Sequence, residues 1–170
     1  MSVFLTKEQL SEIRELQTKL DERIKKEKGL ENVDLSLEKH IATKTELFEF
    51  INEIEEFKWW KEHKGKPGIV KEACDTLHFV TSLAIDNGIE ILSPDTPDNY
   101  NKDNYDLNGL CVTLDFMLND MFIERNYAGL SHFVTLMCIV LDLCGFNAND
   151  LYNAYIEKNK ENHERQDNKY

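Results

Sequence analysis

The spacing of apolar residues along this chain restricts it to helices. Near the amino terminus Leu10, Ile13, Leu16, Leu20 and Ile24 recur every three or four residues, which is the period of one face of an α-helix. Comparable spacing returns in later stretches, and none of them alternates apolar and polar residues as a half-buried strand does. With 3 prolines and 7 glycines, the chain has few positions that break helices. The sequence therefore predicts an all-α fold, a helical bundle of about six helices.

Capping and breaking residues set the bounds of the predicted helices. Gly29 ends the first helix and Gly145 the fifth, while Asn147 can cap the sixth. Thr43 and Glu46 have the T-x-x-E form of a capping box and are predicted to begin the second helix. The predicted helices are residues 6–28, 43–62, 69–85, 107–125, 128–144 and a last one after Asn147, with a polar tail to Tyr170.

One polar stretch interrupts this pattern. Residues 93–106 read SPDTPDNYNKDNYD and offer few apolar anchors, which predicts a mobile loop. We expect residues 1–170 to form one all-α domain, with this loop and a helical insert around residues 93–125.

The charge of the chain limits its partners. The net charge is −12 and no basic patch of useful size is segregated, so the surface repels nucleic acid. A free nucleotide that carries its own magnesium is the more plausible ligand. The cysteines form no CxxC pair and lie in apolar helical patterns, which is typical of buried reduced thiols. The amino terminus lacks the long apolar stretch of a signal peptide, and residues 136–141 are too short for a membrane span. We expect a cytoplasmic protein without a membrane partner.

Two pairs of acidic residues stand on consecutive predicted helices, on either side of the loop HKGKPG. Glu46 and Glu49 are three residues apart, as are Glu72 and Asp75, so each pair shares one helix face. Helices joined by a short loop usually pack antiparallel, which would bring the two pairs together. Converging carboxylates repel one another unless a cation lies between them, and magnesium prefers oxygen ligands. The pattern predicts a magnesium site that activates water and neutralises a leaving pyrophosphate.

The same residues also fit a second interpretation. Acidic pairs at this spacing are common on solvated helix faces. Trp60 fits core or surface packing as well as stacking on a base, and His78 fits a buried, satisfied histidine as well as a contact residue. Two neighbouring segments favour a ligand site, because FKWWK follows the first acidic pair and TLHF directly follows the second.

These segments resemble those of the dimeric all-α dUTPases, in the all-α NTP pyrophosphatase superfamily, especially their bacterial and phage branch. The superfamily pattern is ExxE, a gap, then ExxD, and here it reads ELFE from Glu46 to Glu49 and EACD from Glu72 to Asp75. The segments LQTKLDERI, ELFEFINEIEEFKWWK, EACDTLHFV and KNKENHERQDNKY resemble the dUTPase branch in the same order. Several motifs in order are more specific than any one of them.

The resemblance implies a reaction and a set of roles. The reaction is hydrolysis of dUTP to dUMP and pyrophosphate by a magnesium-activated water, in a homodimer of a bacterial or phage-infected cell. Glu46, Glu49, Glu72 and Asp75 would bind magnesium, and Glu46 or Glu49 would help to activate water. The residues that would contact substrate are Gln17 near the uracil; Trp60, His78 and Phe79 at the base and sugar; Lys158 and Arg165 at the phosphates; Asn162 nearer the sugar or base; and Tyr170.

The carboxyl-terminal motif also has a physical basis of its own. Lys158, Asn162 and Arg165 stand at i, i+4 and i+7 on one helical face, and arginine can bind phosphate oxygens bidentately. The same stripe also fits a solvated, charged carboxyl terminus. We expect this polar tail to be loosely held without substrate and to close over the triphosphate.

The chain departs from the family pattern at two positions, and these leave alternatives open. Lys169 stands where the family usually has glycine, and Asp21 where some relatives place a base-binding asparagine. One alternative is a related pyrophosphatase with another base preference, for dCTP or a modified nucleotide. The other, which rests on the acidic surface and the predicted mobile loop, is a helical regulator-binding protein, whose partner would be a phage or mobile-element repressor.

Overall fold

All regular structure in the described part of the chain is helical. The computed structural model describes residues 2–62, 64–94 and 100–168, and it contains no strand in those ranges. This confirms the predicted all-α fold. The helices are α1 (Lys7–Lys28), α2 (Ser36–Ile54), α3 (Ile69–Asp86), α4 (Leu107–Ile123), α5 (Leu130–Leu143) and α6 (Ala148–Asp167), with 3₁₀ turns at Lys102–Asn104 and Tyr127–Gly129.

The caps of the first and last helices lie where the sequence predicts helix ends. Thr6 begins α1 with a reciprocal capping box to Gln9, which satisfies backbone N–H groups that have no partner inside the helix. Gly29 ends α1 at a φ of 68°, a left-handed conformation that glycine adopts without strain. Asn147 caps α6 in the same reciprocal way, with Asp150.

The predicted bounds of α2 are wrong at both ends. The helix begins at Ser36, and Thr43 is buried inside it, donating its hydroxyl to the carbonyl of Lys39 over 2.6 Å. The helix ends at Ile54 because Glu55 takes a left-handed φ of 61°. The buried Glu55 carboxylate accepts hydrogen bonds from two lysines of the following segment, Lys58 and Lys61, at 2.9 and 2.7 Å, and these hold residues 55–61 as a turn. The helical spacing of apolar residues extends past Ile54 in the sequence, which is why the predicted helix was too long at this end.

The core surrounds α5 and α3. The side chains of α5 are buried almost all round, as its sequence predicts for a central helix. Burying apolar surface of this kind contributes roughly 25 cal/mol per Å². The largest fully buried side chains include Tyr155 from α6, Phe50 from α2 and Phe133 from α5. The core therefore joins the helices that carry the predicted site residues.

Helices α2 and α3 pack antiparallel, as predicted, and form the most extensive helix pair. Lys39 near the start of α2 contacts Asp86 at the end of α3. At the other end, Glu53 accepts a hydrogen bond from Lys66 in the connecting loop over 3.0 Å. This arrangement sets the middle of α2 opposite the first turns of α3, where the acidic pairs lie.

Helices α1 and α6 run side by side in the same direction. Their contacts step along both helices together: Gln9 with Asn149, Glu12 with Tyr152, Gln17 with Tyr155 and Arg23 with Asp167. The segment that the sequence predicts to be a loosely held tail is helical as far as Asp167 and contacts α1. The structure thus places the basic stripe of α6 beside α1.

Asp142 of α5 binds two residues of the segment just before α4. Tyr100 donates its hydroxyl to Asp142 over 2.7 Å, and Lys102 donates to the Asp142 carbonyl over 2.5 Å. The predicted mobile loop includes residues 95–99, which lie outside the described residues, so its mobility remains a prediction. Within the described ranges, no single helix has the length and apolar content to cross a membrane, although one bent pair, Tyr127–Leu143 with Ala148–Asp167, passes by length and composition together.

Candidate active site

Three of the predicted metal ligands converge between α2 and α3. Carboxylate oxygens of Glu46, Glu72 and Asp75 all lie within 4.8 Å of one another. Glu46 comes from the middle of α2, and the other two come from successive turns of α3. The antiparallel packing of two short acidic motifs is therefore sufficient to build the cluster.

Two lysines offset part of the negative charge of this cluster. Lys158 of α6 contacts both oxygens of Asp75, at 2.9 and 3.1 Å. Lys71 donates to Oε1 of Glu72 over 2.6 Å and lies 3.7 Å from Asp75. The other oxygen of Glu72, Oε2, is buried without a hydrogen-bond partner among the described residues. A buried carboxylate oxygen without a partner is costly, so a further cation bound here would stabilise the cluster.

Glu46 and Glu49 differ in their surroundings. Burial raises the pKa of Glu46 above its ordinary value, and the charges of Asp75, Glu49 and Glu72 raise it further. Glu49 is exposed at the rim and is not among the three clustered carboxylates, yet it lies close enough for its charge to act on Glu46. Positive charge at the cluster would favour the ionised form of Glu46.

A cavity of about 490 Å³ opens beside the cluster, a size within the usual range for small-molecule sites. Helices α1, α2, α3 and α6 form its walls. Its lining residues are Gln17, Leu20, Asp21, Ile24, Leu35, Glu38, Lys39, Ala42, Glu46, Asp75, His78, Phe79, Ser82, Lys158, Asn162, Arg165 and Gln166. The cavity therefore extends from the acidic cluster along two turns of α2 and α3.

The middle of the cavity wall is a buried polar group of three side chains. The carbonyl oxygen of Gln17 accepts from the hydroxyl of Tyr155 at 2.5 Å and lies 2.7 Å from Nδ1 of His78. The ring of His78 stacks on Tyr155 with centroids 4.0 Å apart. Burial, and then the charge of Lys158, lower the pKa of His78 to about 3, so His78 is neutral at physiological pH.

The far end of the cavity is a network of charges and hydroxyls centred on Asp21. One carboxylate oxygen accepts from Nε2 of Gln17 over 2.7 Å. The other accepts from the hydroxyl of Ser82 and lies 3.5 Å from Nζ of Lys39. Lys39 in turn contacts Asp86, which Lys25 also binds at 2.9 Å. Positive and negative groups are matched at this end, in contrast to the acidic cluster.

Sequence comparison agrees with this architecture. A family model described as dUTPase matches residues 9–170, which is nearly the whole chain. The chain belongs to the all-α dUTPase family. It is a dUTP diphosphatase, which hydrolyses dUTP to dUMP and pyrophosphate, as the sequence predicts. Neither a different base preference nor a purely regulator-binding role is favoured. Among curated proteins, no significant sequence match is found.

The structure brings most of the predicted substrate-contact residues of this dUTPase to one cavity. Gln17, His78 and Phe79 line its middle, and Lys158, Asn162 and Arg165 line it from α6. Lys158 lies at the acidic cluster, whereas Arg165, which also contacts Glu161 at 2.6 Å, is seven residues further along α6, or about 10 Å along the helix axis.

Among the described residues, one predicted contact residue, Trp60, does not line this cavity. Trp60 lies after the end of α2, which comes earlier than the sequence predicts. Its side chain is 61% exposed and packs edge-on against Phe57 and Trp59. Tyr170 lies outside the described residues. The substrate roles of both remain predictions.

Several residues of the dUTPase cavity gave no signal in the sequence. Lys39 and Ser82 face it from α2 and α3, and Tyr155 is fully buried behind it. Tyr155 precedes Lys158 by three residues and therefore shares its helix face, which is the one sequence cue that points to it. Lys39 lies on the part of α2 that the sequence assigned to a connection, so its helical position could not be inferred.

Proposed function

We propose that this dUTPase works with magnesium held by Glu46, Glu49, Glu72 and Asp75. The observation that carries the proposal is the buried, unpartnered Oε2 of Glu72 within a cluster of three carboxylates. An all-oxygen donor set suits magnesium, which keeps waters and substrate phosphates as its remaining ligands. Bound there, magnesium would supply the positive charge that offsets the phosphates and lowers the pKa of water.

The lysines at the cluster would change partners as substrate binds. Lys158 contacts Asp75 in the free chain. A cation that neutralises Asp75 would free the ammonium group to donate to a phosphate oxygen. Arg165 would hold the triphosphate from further along the same helix face, since arginine binds phosphate in a bidentate manner.

Glu49 is the member of the first acidic pair that we assign to the attacking water. Its side chain is exposed, whereas Glu46 is half-buried and lies in the cluster with Glu72 and Asp75. An exposed carboxylate can accept the proton of an incoming water while the half-buried one keeps its position. General base catalysis of this kind typically contributes about 10²–10⁴ in rate.

We propose that the base and sugar bind further along the cavity. Phe79 offers a half-buried ring to the base, and His78 and Gln17 lie behind it. Asn162 faces the same space from α6. Trp60 and Tyr170 would complete these contacts, as the family resemblance implies.

We propose that the active form is a homodimer. The outer faces of α2 and α4 expose large apolar side chains at helical spacing: Leu37, Ile41 and Phe48 on α2, and Val112, Phe116 and Ile123 on α4. Contiguous exposed apolar surface of this kind marks interaction sites in soluble proteins. The same surface is open to a repressor partner in a phage-infected bacterial cell.

The free thiols, three of them buried, suit the reducing cytoplasm, which we propose as the location.

The test is a turnover assay with the purified chain. We expect magnesium-dependent release of pyrophosphate from dUTP, with much lower kcat/KM for dCTP and dTTP. Glu72→Gln should lower activity and weaken magnesium binding, while Glu62→Gln, the same change outside the cluster, should leave both unchanged. Full activity in the presence of a chelator, or equal effects of the two variants, would refute the magnesium site.

A further inference from the structure

The last two turns of α6 contain no apolar residue. Asn159 is the last buried side chain in the described part of this helix, and its Nδ2 donates to the carbonyl of Leu16 over 3.4 Å. Residues 160–167, which follow, read KENHERQD. Ordering polar residues costs conformational entropy, and here no buried apolar surface offsets that cost. A polar contact must therefore hold this end of α6 in place.

Arg23 of α1 supplies this contact. Its Nη1 donates to the carbonyl oxygen of His163 over 3.1 Å, and its Nη2 donates to Asp167 over 2.6 Å. Its Nε donates to Glu27 of α1 over 2.7 Å, which fixes the plane of the guanidinium group. Because this group is planar and rigid, its two contacts across to α6 hold one full turn of that helix against α1. A cation near the carboxyl-terminal end of a helix is also favoured by the helix dipole.

These contacts also set which face of α6 is turned to the cavity. His163 and Asp167 are four residues apart, so they share the face that lies against α1. The adjacent face carries Asn162 and Arg165, and both line the cavity beside the acidic cluster. Rotation or fraying of this end of α6 would move both side chains away from the cavity. Arg23 therefore controls their position, although it is not among the residues that line the described cavity.

The contact is local in its effect on stability. The side chain of Arg23 is 28% exposed and that of Asp167 is 66% exposed. Ion pairs this open to solvent contribute little to the stability of a whole fold. Removal of the Arg23 guanidinium also leaves the apolar core around α3 and α5 intact. A variant at this position should therefore fold, which makes its role at the end of α6 testable.

We propose that Arg23 is a positioning residue, which orders the last two turns of α6 before the substrate binds. Asn162 and Arg165 then meet the nucleotide in the conformation that binds it, so less conformational entropy is lost on binding. The end of α6 is in this respect a preformed wall of the cavity rather than a tail that closes. The inference rests on the proposed function, because it requires the phosphates to reach Arg165.

Hydrogen exchange of the free chain tests the ordering. In Arg23→Met, the backbone amides of residues 161–167 should exchange faster than in the wild type, since methionine keeps an apolar stem but has no donor. The amides of residues 151–157, which precede Asn159, should keep the rates of the wild type. Lys19→Met is the matched control, because Lys19 is exposed on the same helix and pairs with Glu15 within it. Unchanged exchange of residues 161–167 in Arg23→Met would overturn the inference.

Steady-state kinetics with dUTP and magnesium tests the consequence for binding. The KM of Arg23→Met should rise about 3- to 10-fold, which is the cost of ordering such side chains at the moment of binding. Its kcat should stay that of the wild type, because the acidic cluster is left intact. Faster exchange with an unchanged KM would show that the order of α6 has no part in binding. A lower kcat at an unchanged KM would assign Arg23 to the chemical step, and either result overturns the inference.

Asp167→Asn tests the same contact from its other side. The KM for dUTP should rise by a smaller factor, because the carbonyl of His163 remains as a partner of Arg23. The double variant with Arg23→Met should be no worse than Arg23→Met alone, a non-additivity that a double-mutant cycle measures. Additive effects on KM would overturn the positioning role. Glu27→Gln keeps an acceptor for Nε within α1 and should leave KM unchanged.

Failure of the proposed function would be distinguishable from failure of this inference. Wild-type protein that does not hydrolyse dUTP with magnesium would refute the proposed function. The exchange measurement is made without nucleotide, so it would still decide whether Arg23 holds the end of α6. Circular dichroism of each variant reports whether it folds.

Discussion

The two ends of the active-site cavity are built from similar residues in opposite states. At the acidic end, three carboxylates converge against two lysines, and Oε2 of Glu72 is buried without a partner among the described residues. At the far end, Asp21 is matched by Ser82, Gln17 and Lys39. The first arrangement has excess charge that a ligand must neutralise, and the second is already ordered.

This difference teaches which end depends on a ligand. Carboxylates that repel one another raise the free energy of the folded chain until a cation binds. Satisfied hydrogen bonds keep side chains in one orientation, so they lose little entropy when a substrate arrives. We therefore expect changes at the acidic end to act mainly on kcat and magnesium affinity, and changes at the far end to act mainly on discrimination between bases.

The largest effect is expected at Glu49. Glu49→Gln keeps the shape of the side chain but removes the charge that we assign to accepting a proton from water. It should lower kcat by about 10²–10⁴, while the circular dichroism spectrum stays that of the wild type. Near-normal turnover at saturating magnesium would exclude Glu49 as ligand and as water activator.

The next effect concerns magnesium affinity. Glu72→Gln removes one of the clustered charges, so more magnesium should be needed for half-maximal activity, by about 10- to 100-fold. Magnesium should also raise the Tm of the wild type, since a ligand that binds the folded state alone stabilises it. An unchanged magnesium dependence in this variant would contradict the inference that the acidic end of the cavity depends on a bound cation.

A smaller effect is expected from Arg165. Arg165→Gln should lower kcat/KM for dUTP by about 10- to 100-fold, the worth of one charge-assisted hydrogen bond to phosphate. Lys160→Gln, on an exposed face of the same helix, is the matched control. The apo Tm should change little in either variant.

Removal of the residues after Glu164 should impair turnover in the same way, and an unaffected truncated enzyme would show that the tail has no part in binding phosphate.

The smallest effect is on the stability of the metal-free protein. Burial and neighbouring carboxylates raise the pKa of Glu46 above 4.5. A raised pKa means that the folded state binds more protons than the unfolded state, so stability falls as pH rises through the window above 4.5. Glu46→Gln should therefore raise the apo Tm near neutral pH, by at most about 4 °C.

Differential scanning fluorimetry at acidic and neutral pH tests whether Glu46→Gln raises the apo Tm. The difference between Glu46→Gln and the wild type should shrink as the pH falls towards 4.5 and vanish well below it, where Glu46 is protonated in both states. A lower Tm for the variant at neutral pH would contradict the pKa shift that its surroundings imply.

Much of the acidic end could be predicted from the sequence, because its determinants are local. Glu72 and Asp75 share a helix face by spacing alone, as do Glu46 and Glu49, and the two pairs lie on consecutive helices that pack antiparallel. The predicted start of α2 at Thr43 is wrong, and the reason is also local. Its T-x-x-E pattern is a valid capping signal, but the preceding residues are also helical, and the tertiary structure buries Thr43.

The far end could not be predicted, because it depends on contacts between residues far apart in sequence. Asp21 meets Ser82, and Gln17 meets Tyr155, only once α1, α3 and α6 have packed together. Neither pair has a fixed spacing that a sequence pattern could show. The predicted extension of α2 to residue 62, which includes Trp60, is wrong for a different reason, since Glu55 ends the helix early with a left-handed backbone that non-glycine residues rarely adopt.

Helix α6 contacts the acidic end of the cavity directly and the far end through Gln17, which binds Asp21. Tyr155 binds Gln17, and one turn later Lys158 binds Asp75. The two ends therefore share one rigid element, and we expect them to be thermodynamically linked. By reciprocity, any factor by which magnesium changes the affinity for a uracil nucleoside must equal the factor by which that nucleoside changes the affinity for magnesium.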